Sequence, residues 1–154
     1  MPSPSGAINP ADVARLRRLW DSLPNDECDG CDGCGEKCAG DIPMARWEFE
    51  QVQSVLDRRG VEASAPVAAA AAGPFAPPCR FRDVEVGRCR IYPVRPLVCR
   101  LFGLVAWLPC PLERWGVRRP DGIEIMRWYA SLGPRPYEHW VREAARAHNS
   151  ETEA

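Results

Sequence analysis

The stretch 25–40, NDECDGCDGCGEKCAG, sets Cys28, Cys31, Cys34 and Cys38 in a polar loop with glycines at its turns. Two residues between successive thiols, with Gly free to turn the chain, let the sulfurs converge on one ion. Free cysteines also pack in cores as small hydrophobes. That reading suits Cys110, which lies in an apolar stretch, but not four thiols crowded into a polar loop. The loop therefore sets the expectation for the fold: an irregular cysteine-rich segment held between more regular elements.

On the N-terminal side, Asn9 can cap a helix with Pro10 at its first position, and Val13, Leu16, Trp20 and Leu23 share one helical face up to Pro24. On the other side, Asp41 is positioned to cap a second helix with Pro43 in its first turn. Ala45, Phe49, Val52 and Leu56 recur at helical spacing, and Gly60 is a natural stop. The two helices are expected to pack together and flank the loop. The run 61–78 is Ala- and Pro-rich and reads as a surface linker or excursion. GIEIMRWYASLG, 122–133, fits a short strand or a helix equally well. The stretch 136–148 reads as a terminal helix with Tyr137, Val141 and Ala144 on one side. At 154 residues the chain suits one domain, 1–154. The fold class expected is a small, mainly α-helical, irregular metal-stabilised domain, with helices flanking cysteine-rich loops.

A net charge of −1 gives no global argument for nucleic-acid or membrane binding, and no run is long and apolar enough for a membrane helix. The first twenty residues lack the pattern of a signal peptide. The expected location is therefore the cytoplasm, where thiols stay reduced and clustered cysteines point to metal rather than to a disulfide framework. The spacing C-x2-C-x2-C-x3-C also matches the bacterial ferredoxin run. Ala39 stands where that run usually carries proline, and no second run follows. A thioredoxin-type use of CxxC lacks the βαβ pattern it requires.

The other four cysteines, Cys79, Cys89, Cys99 and Cys110, are widely spaced, and the residues between them are more informative. Cys79-Arg80-Phe81 is followed by GRCRIYPVRPLVCRLFG at 87–103. With the knuckle residues Cys31, Cys34, Gly35 and Cys38, this block resembles the YkgJ-type cysteine-cluster family, a zinc- or iron-chelating domain of CxxCxxCC type. The matching positions in the later block are Gly87, Cys89, Ile91, Tyr92, Arg95, Pro96, Cys99, Arg100 and Phe102. Lys37 stands where the family's adjacent cysteine pair would begin, and Cys28 lies outside the usual knuckle. The resemblance spans roughly 28–110 and implies metal chelation. It also includes a domain found in flagellin lysine methylases.

Charge adds a separate argument. From residue 21 to 41, seven acids face only Lys37, whereas from 79 to 119, nine arginines face Asp83, Glu85 and Glu113. Thiolate–metal sites are themselves negative, so the Arg-rich module is expected to dock on the acidic knuckle with the metal sites at their junction. Arg95, Arg100 and Tyr92 are then candidate supports around the metal, hydrogen-bonding thiolates or fixing loop carbonyls. The candidate ligands are all eight cysteines: Cys28, Cys31, Cys34, Cys38, Cys79, Cys89, Cys99 and Cys110. His139 and His148 suit surface or capping roles.

All-cysteine ligation suits zinc and iron–sulfur clusters alike. The favoured function is metal binding in a structural or metal-handling role, with action through a protein partner open. The alternative is an iron–sulfur protein of electron transfer or methyl-transfer-type enzymology. No paired acids or phosphate loop mark a reaction, so whether the chain is an enzyme stays open. Phe81, Tyr92, Phe102 and Trp107 among the arginines could instead stack bases. Acid elsewhere in the chain and apolar residues within the run weigh against nucleic acid.

Overall fold

The structure is a computed structural model, described for residues 8–24, 40–61, 79–83, 85–114 and 116–153. The loop 25–39, with Cys28, Cys31, Cys34 and Cys38, and nearly all of the Ala/Pro-rich run lie outside the described residues.

Five α-helices dominate what is described, joined by two-residue strands. Helix α1, Pro10–Ser22, begins as expected, with the Asn9 side chain accepting the Asp12 N–H at 2.9 Å. Strand β1, Pro43–Met44, precedes α2, Arg46–Arg59. Asp41 therefore does not cap the second helix, and Pro43 is not in its first turn. Pairing of Pro43 and Met44 with Pro136 and Arg135 of β6, Arg135–Pro136, keeps this segment extended. The helix instead opens after Ala45, whose N–H is taken by the Glu48 carboxylate at 2.9 Å, one half of a capping box. Gly60 ends α2 in the left-handed region, φ 61°, where a side chain would be strained.

Strands β2, Arg82–Asp83, and β3, Arg88–Cys89, form an antiparallel hairpin with Arg82 opposite Cys89. A 3-10 turn at Tyr92–Val94 leads to the single-turn helix α3, Leu97–Arg100. The hairpin β4, Leu104–Val105, and β5, Leu108–Pro109, follows. The ambiguous run is helix α4, Gly122–Ser131. The terminal helix α5, Tyr137–Thr152, extends beyond His148. Its inner face is Tyr137, Trp140 and Val141, whereas Ala144 is exposed.

Two apolar clusters organise these pieces. Leu16 and Leu23 of the first helical segment pack with Leu97, Leu101, Leu104, Val105, Ile125 and Tyr129. Met44 and the α2 residues Phe49, Val52 and Leu56 pack with Phe81, Ile91, Tyr137 and Trp140. Contact between α1 and α2 runs through Trp20, whose ring lies 4.9 Å from that of Trp47. Leu23 and Met44 are both buried, so the chain enters and leaves the cysteine loop from anchored positions.

Candidate metal centre

The four described cysteines, Cys79, Cys89, Cys99 and Cys110, are half-buried. The carbonyl of Cys79 accepts the Arg82 N–H at 3.0 Å, turning the chain into β2. Across the hairpin, the Arg90 N–H donates to the Phe81 carbonyl at 2.8 Å. This brings Cys79 and Cys89 to the edge of one apolar cluster, the one holding Phe81 and Ile91. Cys99 sits on α3, and Cys110 follows β5, its carbonyl accepting from the Glu113 N–H at 3.0 Å. Among the described residues, no group of three or more Cys, His, Asp or Glu side chains is arranged to hold a metal. His139 is exposed and lies 3.3 Å from Glu143 one turn on, and His148 is exposed near the end of α5.

The block 87–103 is held by its own arginines. Arg100 is buried, and its Nε–H and Nη2–H donate to the carbonyls of Arg95 at 2.8 Å and Pro93 at 2.7 Å. Its guanidinium lies 4.0 Å from the centre of the Trp20 ring. Burial, then the nearby Arg95 charge, push its pKa down to about 10. Arg95 stacks on Tyr92 at 3.8 Å and donates to the Tyr92 carbonyl at 3.2 Å. Phe81 is buried in the core, so it offers no face for base stacking.

Two further groups were not singled out by the sequence reading. Glu48 is fully buried in α2. Its carboxylate accepts from Trp20 Nε1–H at 3.1 Å, Ala45 N–H at 2.9 Å and Leu97 N–H at 2.7 Å, and from the Tyr129 hydroxyl. One side chain thus ties α1, α2, α3 and α4 together. Burial raises its pKa, against the lowering effect of the hydrogen bonds it accepts, foremost that from Tyr129. Burial and the adjacent Glu48 push the Tyr129 hydroxyl upward as well. The available sequence signal was an acid set inside the apolar stripe of α2.

The second group is Arg80, directly after Cys79. It is 7% exposed, with Nη1 3.0 Å from Glu138 Oε2 and Nη2 3.2 Å from Asp41 Oδ1. Its guanidinium carbon lies 5.4 Å from the centre of the Tyr137 ring. Asp41 stands three residues after Cys38 in the chain. The Cys79 segment, the exit of the cysteine loop and the start of α5 therefore meet on one cation.

The donor set is soft and thiol-rich, of the kind that selects zinc or iron–sulfur centres over magnesium or calcium. A family model described as "CxxCxxCC: Putative zinc- or iron-chelating domain" matches residues 27–125. The chain belongs to this family. All eight cysteines fall inside the matched segment, which extends past the block 87–103 into α4. In a search of curated proteins nothing matched, and the same was true of solved structures. Among the described residues, no helix is long and apolar enough to cross a membrane.

Proposed function

We propose that this CxxCxxCC protein binds zinc or iron through a centre built jointly by its two cysteine groups, in a structural or metal-handling role. The knuckle residues Cys28, Cys31, Cys34 and Cys38 supply the first thiolates. Cys79, Cys89 and Cys99 are the candidates to complete the set, and Cys110 is the eighth thiol available. The observation that carries this reading is the Arg80–Asp41 ion pair at 3.2 Å. It fastens the residue after Cys79 to the chain three residues beyond Cys38, a covalent reach of at most about 11 Å. The charge pattern supports the same junction, because the acidic, cysteine-rich loop and the arginine-rich module are of opposite charge.

In this reading the protein works as a single domain in the cytoplasm, where the thiols stay reduced, alone or with a protein partner. Arg100 and Arg95 keep the backbone of the Cys99 segment in shape, and Glu48 fixes the first N–H of α3. Bound metal would cross-link segments far apart in the chain, contributing directly to folding.

Aerobic and anaerobic purification, followed by metal analysis and a visible spectrum, tests the proposal. Zinc or iron at constant stoichiometry, reduced in both Cys31→Ser and Cys99→Ser, is the expected result. Iron with labile sulfide and a broad visible absorption would assign an iron–sulfur centre and open the electron-transfer or methyl-transfer reading. Protein that retains neither metal under both conditions would overturn metal binding. Full metal content in Cys99→Ser would overturn the shared centre.

A further inference from the structure

Arg80 carries a feature that its two ion pairs leave unexplained. Both Nη atoms have carboxylate partners, yet Nε is buried with no hydrogen-bond partner among the described residues. A buried guanidinium N–H without an acceptor is costly, because it has given up water and received nothing in exchange. The geometry of the fork is fixed, so the Nε–H cannot turn away while Nη1 and Nη2 hold Glu138 and Asp41. Glu138 and Asp41 are themselves about two-fifths exposed, whereas the Arg80 side chain they hold is almost wholly buried.

We propose that the Nε–H of Arg80 donates to a thiolate sulfur of the metal centre, making Arg80 the positioning residue that offsets the centre's negative charge. This rests on the thiolate-centre reading above. Three observations converge on it: the orphaned donor, the position next to Cys79, and the tie to Asp41 just past the cysteine loop. An N–H···S bond would remove electron density from the sulfur and fix its direction, while the two carboxylates hold the guanidinium in place. Arg95 and Arg100, the arginines the sequence singled out, direct hydrogen bonds to backbone carbonyls instead. Loss of such a supporting hydrogen bond typically weakens metal binding about 10- to 100-fold.

Competition between the purified protein and a chelator for Zn2+ tests this in wild type, Arg80→Lys, Arg80→Gln and Glu138→Gln. Arg80→Gln should lower Zn2+ affinity about 10- to 100-fold, and Arg80→Lys should fall well short of rescue because it keeps the charge but has no Nε–H. Glu138→Gln breaks one ion pair and leaves the Nε–H, so it should lower the unfolding temperature with Zn2+ affinity within about threefold of wild type. Circular dichroism of the Zn2+-loaded variants separates misfolding from weakened binding. Equal Zn2+ affinity in Arg80→Gln and wild type would overturn the proposal and leave metal binding intact. Equal weakening by Arg80→Gln and Glu138→Gln would also overturn it, by assigning the effect to the ion pairs. A wild-type chain that binds neither Zn2+ nor iron would overturn the thiolate centre and, with it, the role of Arg80.

Discussion

The carboxylate of Glu48 accepts the backbone N–H of Leu97 at 2.7 Å, across 49 residues of chain. That N–H is the first of α3, where no residue four positions back within the helix can serve it. The acid of one helix therefore fixes the start of the turn that carries Cys99. Glu48→Ala would remove an acceptor from four donors; the Ala45 N–H and the Tyr129 hydroxyl keep a second one, whereas those of Trp20 and Leu97 are left unsatisfied at about 1–3 kcal/mol each. The expected outcome is a loss of cooperative unfolding in denaturant melts.

The pH dependence of stability should bear the mark of the same residue. The pKa of Glu48 is raised in the folded state, above the ordinary 4.5. Its protonated form is thus favoured by folding, so this contribution is fully present below about pH 4.5 and declines as pH rises through the raised value. Protonation is structurally feasible because Tyr129 has a second acceptor, the Pro43 carbonyl at 3.4 Å. Denaturant midpoints of wild type and Glu48→Gln across pH should converge or cross on the acid side. A constant gap between them would count against a raised pKa.

Tyr129→Phe isolates the hydroxyl. The ring stays in the apolar cluster, but the Ala45 N–H loses one acceptor and Glu48 loses its closest donor. The expected cost is about 1–3 kcal/mol, read from equilibrium unfolding.

Gly122→Ala tests the approach of α4 to the β4–β5 hairpin. A Cβ there would lie 2.6 Å from Val105 Cγ1 and 2.8 Å from the Trp107 ring. Overpacking of this kind costs about 1–3 kcal/mol, and Gly122 is the first residue of α4, where alanine offers less than the roughly 1 kcal/mol it gives in a helix interior. The variant should unfold at lower denaturant, with altered emission from Trp107.

Arg100→Lys should destabilise the block 87–103 although the charge is kept. Lysine cannot serve the carbonyls of Arg95 and Pro93 in the fork geometry while also lying on Trp20. A loss of about 1–3 kcal/mol is expected in denaturant unfolding. Amides around Leu97–Arg100 should exchange faster with solvent.

The sequence made the helices legible wherever local signals agreed with tertiary contacts. Asn9 and Pro10 start α1, and Gly60 ends α2, because each acts through its own backbone neighbours. The start of α2 was misplaced because a contact with residues 135 and 136, far along the chain, keeps Pro43 and Met44 extended. The role of Glu48 is illegible in the sequence for a related reason: three of its four donors come from other elements, outside any local window. For the cysteines, residue type and local spacing were legible, but which thiols converge depends on long-range placement. Arg100 was singled out as a support, and the structure places it on loop carbonyls; Arg80 gave no local sign of its burial.

The match to the CxxCxxCC family stops at residue 125. Yet β6 pairs with β1, the Trp140 indole donates to the Met44 carbonyl at 2.8 Å, and Tyr137 closes over Phe49 and Phe81. Glu138 supplies one of the two carboxylates on Arg80. The stretch that identifies the family is thus shorter than the stretch that has to fold. A fragment trimmed to the recognisable segment would strip Tyr137 and Trp140 from a hydrophobic core and Glu138 from Arg80, so a fragment expressed to retain that packing should run through α5.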